Sequence, residues 1–284
     1  VNSQDTQTNY TPTFADIQTN VNYDISDKWQ VSFLGNISQN KYLYQPLTRE
    51  TKFGTIDQPM SLAVYYEGKE RDQYDTYFGA LKTTYKVSPS FTLKFIGSLF
   101  HTKEEEHFDI LAQYRLGNVG DDGSTQVDFT RGIGSQLNHA RNDLDALIAN
   151  AEIKGFKEWK NDSQLEFGLK YTRESIRDRI VEWEMIDSAG FSINPPIVIL
   201  PKNNQPYEPY TGPLLPYQDI RATNFNTINR FSGYAQYNKK SELGSNQIWY
   251  NVGARFQSWD VSGASVEGKN QVVFSPRAQF AIKP

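Results

Sequence analysis

The sequence predicts an all-β fold, an antiparallel up-and-down β-barrel that crosses a membrane. Three observations lead there. Apolar and polar residues alternate with a period of two along segment after segment. The segments come in pairs closed by tight turns, and long excursions separate one pair from the next, always at the same end. Aromatic residues make up 14% of the 284 residues, with 17 Tyr, 17 Phe and 5 Trp, yet mean hydropathy is −0.63. The apolar runs are short, as at Ile197 to Leu200, which excludes a transmembrane helix of about 20 apolar residues.

The elements follow in order. Ile17, Thr19, Val21, Tyr23 and Ile25 oppose Gln18, Asn20, Asn22 and Asp24. After a turn at Ser26 to Lys28, Trp29, Val31, Phe33 and Ile37 oppose Gln30, Ser32, Asn36 and Ser38. This is a hairpin with one apolar and one polar face. The unit returns at Tyr77, Leu81, Tyr85 and Val87, turns at Ser88-Pro89-Ser90, and continues through Phe91, Leu93, Phe95 and Leu99. A third pair places Leu147, Ala149, Ala151 and Ile153 before a turn at Lys160 to Asp162, then Leu165, Phe167, Leu169 and Tyr171. A fourth runs through Phe231, Ala235 and Tyr237, turns near Gly244-Ser245, and returns through Ile248, Tyr250, Val252, Ala254 and Phe256. Phe274, Ala278, Phe280 and Ile282 begin a ninth strand. Each strand is expected to span about 10–14 residues, which suits a tilted membrane strand better than a globular one of about 5–6.

The long excursions are expected at 45–75, 110–142, 178–226 and 258–270. Compact globular domains rarely carry loops beyond about 15 residues. Outer-membrane barrels do so systematically, with short periplasmic turns and long extracellular loops. Tyr23, Trp29, Tyr85, Phe91, Trp159, Tyr237 and Trp249 lie near the tight turns. Tyr42, Tyr44, Tyr74, Tyr77, Phe100, Phe108 and Trp183 lie toward the other strand ends, so two interfacial girdles are expected. Lys82, Lys86, Lys94, Glu152, Lys154, Glu166, Lys170, Arg255 and Arg277 fall on the polar faces. Lys or Arg facing lipid at the midplane costs about 2–4 kcal/mol, so these side chains must face a wet lumen or a plug. A barrel of about eight strands is too narrow for that, so a wide one is expected.

At this point two strand pairs, FADIQTNVNYDISDKWQVSFLGNIS and TYFGALKTTYKVSPSFTLKFIGSLF, together with the closing VVFSPRAQFAIKP, resemble the barrel of TonB-dependent outer-membrane receptors. HFDILAQYRLGNV, LNHARNDLDALIANAEIKG and VEWEMIDSAGFS look most like the Bacteroidota branch of that family. The resemblance covers essentially the whole chain. It implies a plugged barrel of about 22 strands in the outer membrane of a bacterial cell, energised through the inner-membrane TonB complex. Implied partners are outer-membrane lipid, the plug domain and remaining strands of the same receptor, the TonB system and a surface lipoprotein. The sequence departs from the family in showing no plug, no TonB box and nine strands rather than a closed set. Residues 1–284 are accordingly expected to be an internal segment of one barrel domain, about two-fifths of it.

Other chemistry finds weaker footing. Without cysteine, a disulfide scaffold, a zinc–cysteine site and a thiol nucleophile are excluded. A net charge of −4 with no basic block argues against a nucleic-acid partner. His101-Thr102-Lys103-Glu104-Glu105-Glu106-His107 offers metal donors, but not at the HExxH spacing, and on a strand its two histidines stand about 20 Å apart. A solvated strand end accounts for it better. Gly132-Ile133-Gly134 lacks the third glycine of a dinucleotide fingerprint and reads as loop. Arg173, Arg177 and Arg179 with Glu174, Asp178 and Glu182 read as a mixed-charge extracellular extension, and Arg173 and Arg177 are candidates for an anionic ligand. Seven of the 13 prolines lie between Pro195 and Pro216, interleaved with Tyr207, Tyr210 and Tyr217. Proline stiffens a long loop and presents tyrosine rings at low entropic cost, so these three tyrosines are candidate ligand contacts. No cofactor, metal site or enzymatic activity is expected. The expected function is nutrient import, of a glycan, peptide or chelate. The alternatives are a passive porin-like channel and a soluble all-β glycan-binding module.

Overall fold

A computed structural model describes residues 9–119, 125–126, 132–187, 216, 218–244, 246–264 and 266–283. These residues form eleven strands and no helix. The strands are β1 (Asn9–Ser26), β2 (Trp29–Gln45), β3 (Arg49–Gly54), β4 (Pro59–Ser88), β5 (Phe91–Val119) and β6 (Thr125–Gln126). They continue as β7 (Gly132–Trp159), β8 (Ser163–Asp187), β9 (Gln218–Leu243), β10 (Asn246–Gly263) and β11 (Val266–Lys283). Nine lie side by side in chain order, β1-β2-β4-β5-β7-β8-β9-β10-β11, each antiparallel to its neighbours. β3 pairs with the start of β4, and β6 with the end of β5. The nine expected strands are the nine of this path, and the fold is all-β, antiparallel and up-and-down.

The turns fall where the sequence places them. Ser88-Pro89-Ser90 closes β4 onto β5, and Asp162 takes a left-handed φ of 55° to close β7 onto β8. Gly244, with φ 64°, does the same between β9 and β10.

Strand length departs from expectation. β4 has 30 residues, β5 29 and β7 28, against the 10–14 read from hydropathy. The excursion expected at 45–75 contains β3 and the first half of β4, and that at 110–142 shrinks to the span between Val119 and Gly132. The Gly132–Gly134 stretch belongs to β7, not to a loop. At 258–270 the expected excursion is strand: β10 and β11 pair as far as Gly263 and Val266, and the Ala264 amide donates to the Phe225 carbonyl at 3.0 Å. The physical reason is common to all three. Alternating hydropathy marks only the part of a strand with one apolar face. Where both faces are polar, as at Glu67 to Tyr74, or both carry apolar residues, as at Leu62 to Tyr66, the backbone ladder continues but the alternation that announces it disappears.

Register assigns the faces. Residues paired across neighbouring strands share one face, so rungs can be followed across the sheet. One rung reads Val21, Phe33, Leu81, Gly97, Ala151, Tyr171, Phe231, Ser258, Val272, and is almost wholly apolar. The next reads Asn22, Ser32, Lys82, Ile96, Glu152, Lys170, Ser232, Gln257, Val273. The apolar face is open: Leu99 is 58% exposed and Leu81 53%, with no described residue packed over them. On the polar face Thr102, Thr172 and Asn251 are buried. Crowding on one side and openness on the other is what a sheet curving toward its polar side produces.

The two aromatic girdles fare differently. Tyr23, Trp29, Tyr85, Phe91, Trp159 and Tyr237, near the tight turns, share the apolar face, with Trp249 alone on the polar one. At the other end only Tyr77 and Trp183 lie on the apolar face. Tyr42, Tyr44, Tyr74, Phe100 and Phe108 point to the polar side, because residue parity and not sequence neighbourhood decides the face.

Gly68, within β4, has φ 108°, and a β-carbon there would run into the Asp109 carbonyl of β5. Gly68→Ala is expected to destabilise this part of the ladder by about 1–3 kcal/mol. Backbone amides flanking positions 68 and 110 should then exchange hydrogen faster, while those near the tight turns are unaffected; unchanged exchange at 64–72 would contradict this.

Candidate functional site

Three consecutive polar rungs gather the residues predicted to face the lumen. Lys82, Glu152 and Lys170 share the first. Lys94, Lys154, Tyr234 and Arg255 share the second, and Glu166 and Arg277 the third. All nine predicted residues, with Lys86 in the third rung, therefore project from one face, as the alternation requires. A groove of about 610 Å³ brings Glu152, Lys154, Glu166, Arg255 and Arg277 together, and Tyr234 joins them. A neighbouring depression of about 250 Å³ is lined by Glu152, Lys170, Tyr234 and Arg255, with Arg230 beyond.

The charges are partly matched. Lys154 Nζ lies 3.2 Å from Glu152 Oε1, two residues away on the same strand. Tyr234 donates its phenolic hydrogen to Glu166 at 2.7 Å. Its ring lies over Gly168, where a β-carbon would stand 2.5 Å away, so the small residue is what lets the tyrosine reach Glu166. Lys94 and Lys154 are direct cross-strand partners of like charge, and Lys94 Nζ instead sits 4.7 Å from the Phe156 ring centroid. Such a wall presents donors and acceptors of both signs and can hold a polar protein surface or a hydrated solute.

Beyond these rungs, toward the long-loop end, the polar face changes character. Tyr10 stacks on Tyr42 at 5.8 Å, and Tyr42 meets Tyr74 edge-on at 5.9 Å. Beside them Asp72 is the direct partner of Glu106, and Tyr74 of Glu104. Burial, then the neighbouring Asp72 and Glu106 carboxylates, pushes the Glu70 carboxyl up. Burial and Glu106 do the same to Asp72. Glu70, Asp72 and the face of Tyr74 escape sequence reading because they fall in the stretch read as a 45–75 loop. The parity of β4, carried back from Leu81, is the signal that would have found them.

The remaining candidates divide. Arg173 and Arg177 lie on the face shared with Leu169 and Tyr171, opposite the polar groove. Arg179 joins them, whereas Glu174, Asp178 and Glu182 lie on the polar side, so a run that looks mixed in sequence is sorted by face. Tyr207, Tyr210 and Tyr217 lie outside the described residues. His101 donates its Nε2–H to Asp145 at 2.8 Å and His107 its Nε2–H to Asp143 at 2.8 Å, so the two histidines have separate partners. Among the described residues no group of three or more His, Asp or Glu is arranged to hold a metal ion.

No protein-family model matches the chain, and no curated protein matches it. Among solved structures it is similar to the ferric preacinetobactin receptor BauA of Acinetobacter baumannii, at 9% identity and a TM-score of 0.43, over 97% of this chain and 44% of that one. It is also similar to the siderophore receptor PiuA of Acinetobacter baumannii, at 12% identity and a TM-score of 0.34, over 96% of this chain and 45% of that one. The ferric-catecholate import receptor Fiu of E. coli K12 aligns at 10% identity and a TM-score of 0.36, over 98% of this chain and 46% of that one. The chain thus spans less than half the length of these receptors.

The Asp72–Glu106 pair yields a pH-dependent prediction. A carboxyl whose folded pKa is raised loses stability as pH climbs from the unfolded value through the folded one. Asp72→Asn is therefore expected to raise the unfolding midpoint at pH 7, by a gain toward the lower end of about 0.2–1 kcal/mol because solvent screens the pair. The gain should vanish near pH 4, where an unfolded carboxyl is about half protonated. A gain that persists undiminished at low pH would show that charge repulsion is not its cause.

Proposed function

We propose that this chain is an internal part of the wall of an outer-membrane active-transport receptor, which captures a nutrient ligand and imports it with energy from the TonB complex. The observation that supports this reading best is the register. Nine long antiparallel strands turn one face of large apolar side chains outward and one face of charged side chains inward, which a water-soluble sheet cannot stabilise and a bilayer-spanning wall requires. The girdle of Tyr23, Trp29, Tyr85, Trp159 and Tyr237 along one edge of the apolar face agrees with a headgroup boundary. The sequence resemblance to TonB-dependent receptors of the Bacteroidota type supplies the family. On this reading further strands complete the barrel beyond β1 and β11, a plug domain fills it, and Lys82, Lys94, Lys154, Glu166 and Arg277 contact that plug.

The ligand, a glycan, peptide or chelate, is captured by the extracellular end. Tyr207, Tyr210 and Tyr217 on the proline-rich segment are the proposed contacts there, with a surface lipoprotein as a further partner. In cells that make the intact protein, uptake should cease when TonB is removed, and purified protein in planar bilayers should show no steady conductance. Uptake that survives without TonB, with an open pore in bilayers, would identify a passive channel instead. Deleting 195–216 is expected to abolish ligand binding while leaving a barrel that resists heat in gel-shift assays. Unchanged ligand affinity in that deletion would remove the binding role of the proline-rich segment.

A further inference from the structure

On the outer face, immediately beyond the apolar band, polar side chains form rows that the import function does not use. His101 is the direct partner of Leu147 and stands two residues from Leu99 on the same face, so the first row begins where the exposed leucines end. In that row Asp145 of β7 bonds His101 of β5 at 2.8 Å and accepts from Arg177 of β8 at 3.0 Å. In the next, Asp143 of β7 bonds His107 of β5 at 2.8 Å and accepts from Arg179 of β8 at 2.7 Å. Farther out, Asp109 of β5 bonds His139 of β7 at 2.6 Å and also pairs with Arg141. Tyr77 stacks on His101 with centroids 6.2 Å apart.

The basic residues of these rows are segregated to one face, where Asp75, Glu105, Asp109, Asp143 and Asp145 accompany them. Over residues 69–75, 103–109, 139–145 and 177–183, every Lys and Arg lies on the outer face. The polar face of the same rows carries Glu70, Asp72, Glu104, Glu106, Asp178 and Glu182. Asp109, Asp143 and Asp145 each hold an arginine in place from one side and use only part of a guanidinium with five donors, while Asp75 on the same face accepts from Gln39 and Gln73. The remaining donors point away from the protein: Arg177 is 65% exposed and Arg179 52%. Arg173, four residues before Arg177 on the same face, extends the row of guanidiniums back into the apolar band, roughly 13 Å along the strand.

We propose that Arg173, Arg177 and Arg179 form a ledge that binds the phosphate groups of an anionic lipid in the outer leaflet. This rests on the membrane-spanning reading above. A guanidinium fork fixed by an aspartate is preorganised for bidentate bonding to phosphate oxygens, which a mobile lysine is not. The position selects lipid over a soluble anion. The ledge adjoins the exposed Leu99 and Leu147 side chains, so a lipid whose chains cover them brings its headgroup level with the arginines.

The test uses the intact protein in detergent micelles, with retained lipid counted by native mass spectrometry and affinity measured by titration. The probes are diphosphorylated lipid A, phosphatidylglycerol, phosphatidylcholine and inorganic phosphate. The wild type is expected to hold lipid A and to ignore phosphatidylcholine. Arg177→Gln with Arg179→Gln should weaken lipid A binding at least tenfold, with further loss on adding Arg173→Gln. Arg177→Lys with Arg179→Lys should bind more weakly than the wild type yet better than the glutamine variant. Equal affinity in wild type and glutamine variants, both showing heat-resistant migration, would overturn the ledge. Inorganic phosphate binding as tightly as lipid A would reassign it to a soluble anion and overturn the lipid assignment. Failure of every variant, wild type included, to insert into bilayers would instead overturn the membrane-spanning reading, and the ledge with it.

Discussion

Everything in this molecule depends on the hydrogen-bond ladder holding one register across nine strands. In a sheet with side-chain period two, register and face are the same fact. Slipping one strand by a single residue would put Lys82, Lys94 or Lys170 among the exposed leucines and tyrosines, and bring Leu81, Phe95 or Leu169 to the polar groove. At the middle of a bilayer, one basic residue so misplaced costs about 2–4 kcal/mol, comparable to a substantial fraction of a domain's net stability. In the proposed setting the ladder is thus specified twice, by backbone pairing and by the penalty for misplacing any charged residue. The tight turns at Ser88-Pro89-Ser90, Lys160–Asp162 and Gly244 set the starting point from which each strand counts.

With the register fixed, the two faces acquire separate chemistry. The polar face divides along its length into a lower region of mixed charge, where Tyr234 bonds Glu166 and Lys154 meets Glu152, and an upper region of tyrosines and carboxylates. The apolar face likewise ends in a region of paired His, Asp and Arg. Within the upper rows, basic residues stand outside and acidic residues prevail inside, so the wall carries a charge gradient across its own thickness. Burial raises the Glu70 and Asp72 carboxyls inside, while Asp109, Asp143 and Asp145 outside are satisfied by arginine and histidine donors.

The fold was legible because the part of each strand near the tight turns has one polar and one apolar face. Ile17 to Ile25, Phe91 to Leu99 and Leu165 to Tyr171 declare themselves by alternation alone, and the shared face of the nine residues expected to line a lumen follows from the same parity. Legibility failed where both faces are polar. Glu67 to Tyr74 reads as a loop although it is continuous strand, and with it went the faces of Tyr42 and Tyr74. The Trp259–Val261 stretch was lost because its alternation breaks, with Ser258 and Asp260 on the apolar face and Trp259 and Val261 on the polar one. Arg173 and Arg177 were recognisable as a charged extension, but their face depends on counting from Tyr171, and hydropathy supplies no incentive to count beyond the apolar band.

The long strands set a distance. At about 3.3 Å per residue, the 30 residues of β4 extend close to 100 Å along the strand, and a tilt near 45° leaves roughly 70 Å of height. An apolar belt takes up only about 25 Å of that. In the proposed setting, most of the remainder stands clear of the bilayer as a stiff hydrogen-bonded chimney. A solute arriving from outside would meet its rim well before it meets the membrane plane. Selection by size could then be made by the rim, far from the step that uses energy, and by a part of the wall whose shape does not depend on the lipid around its base.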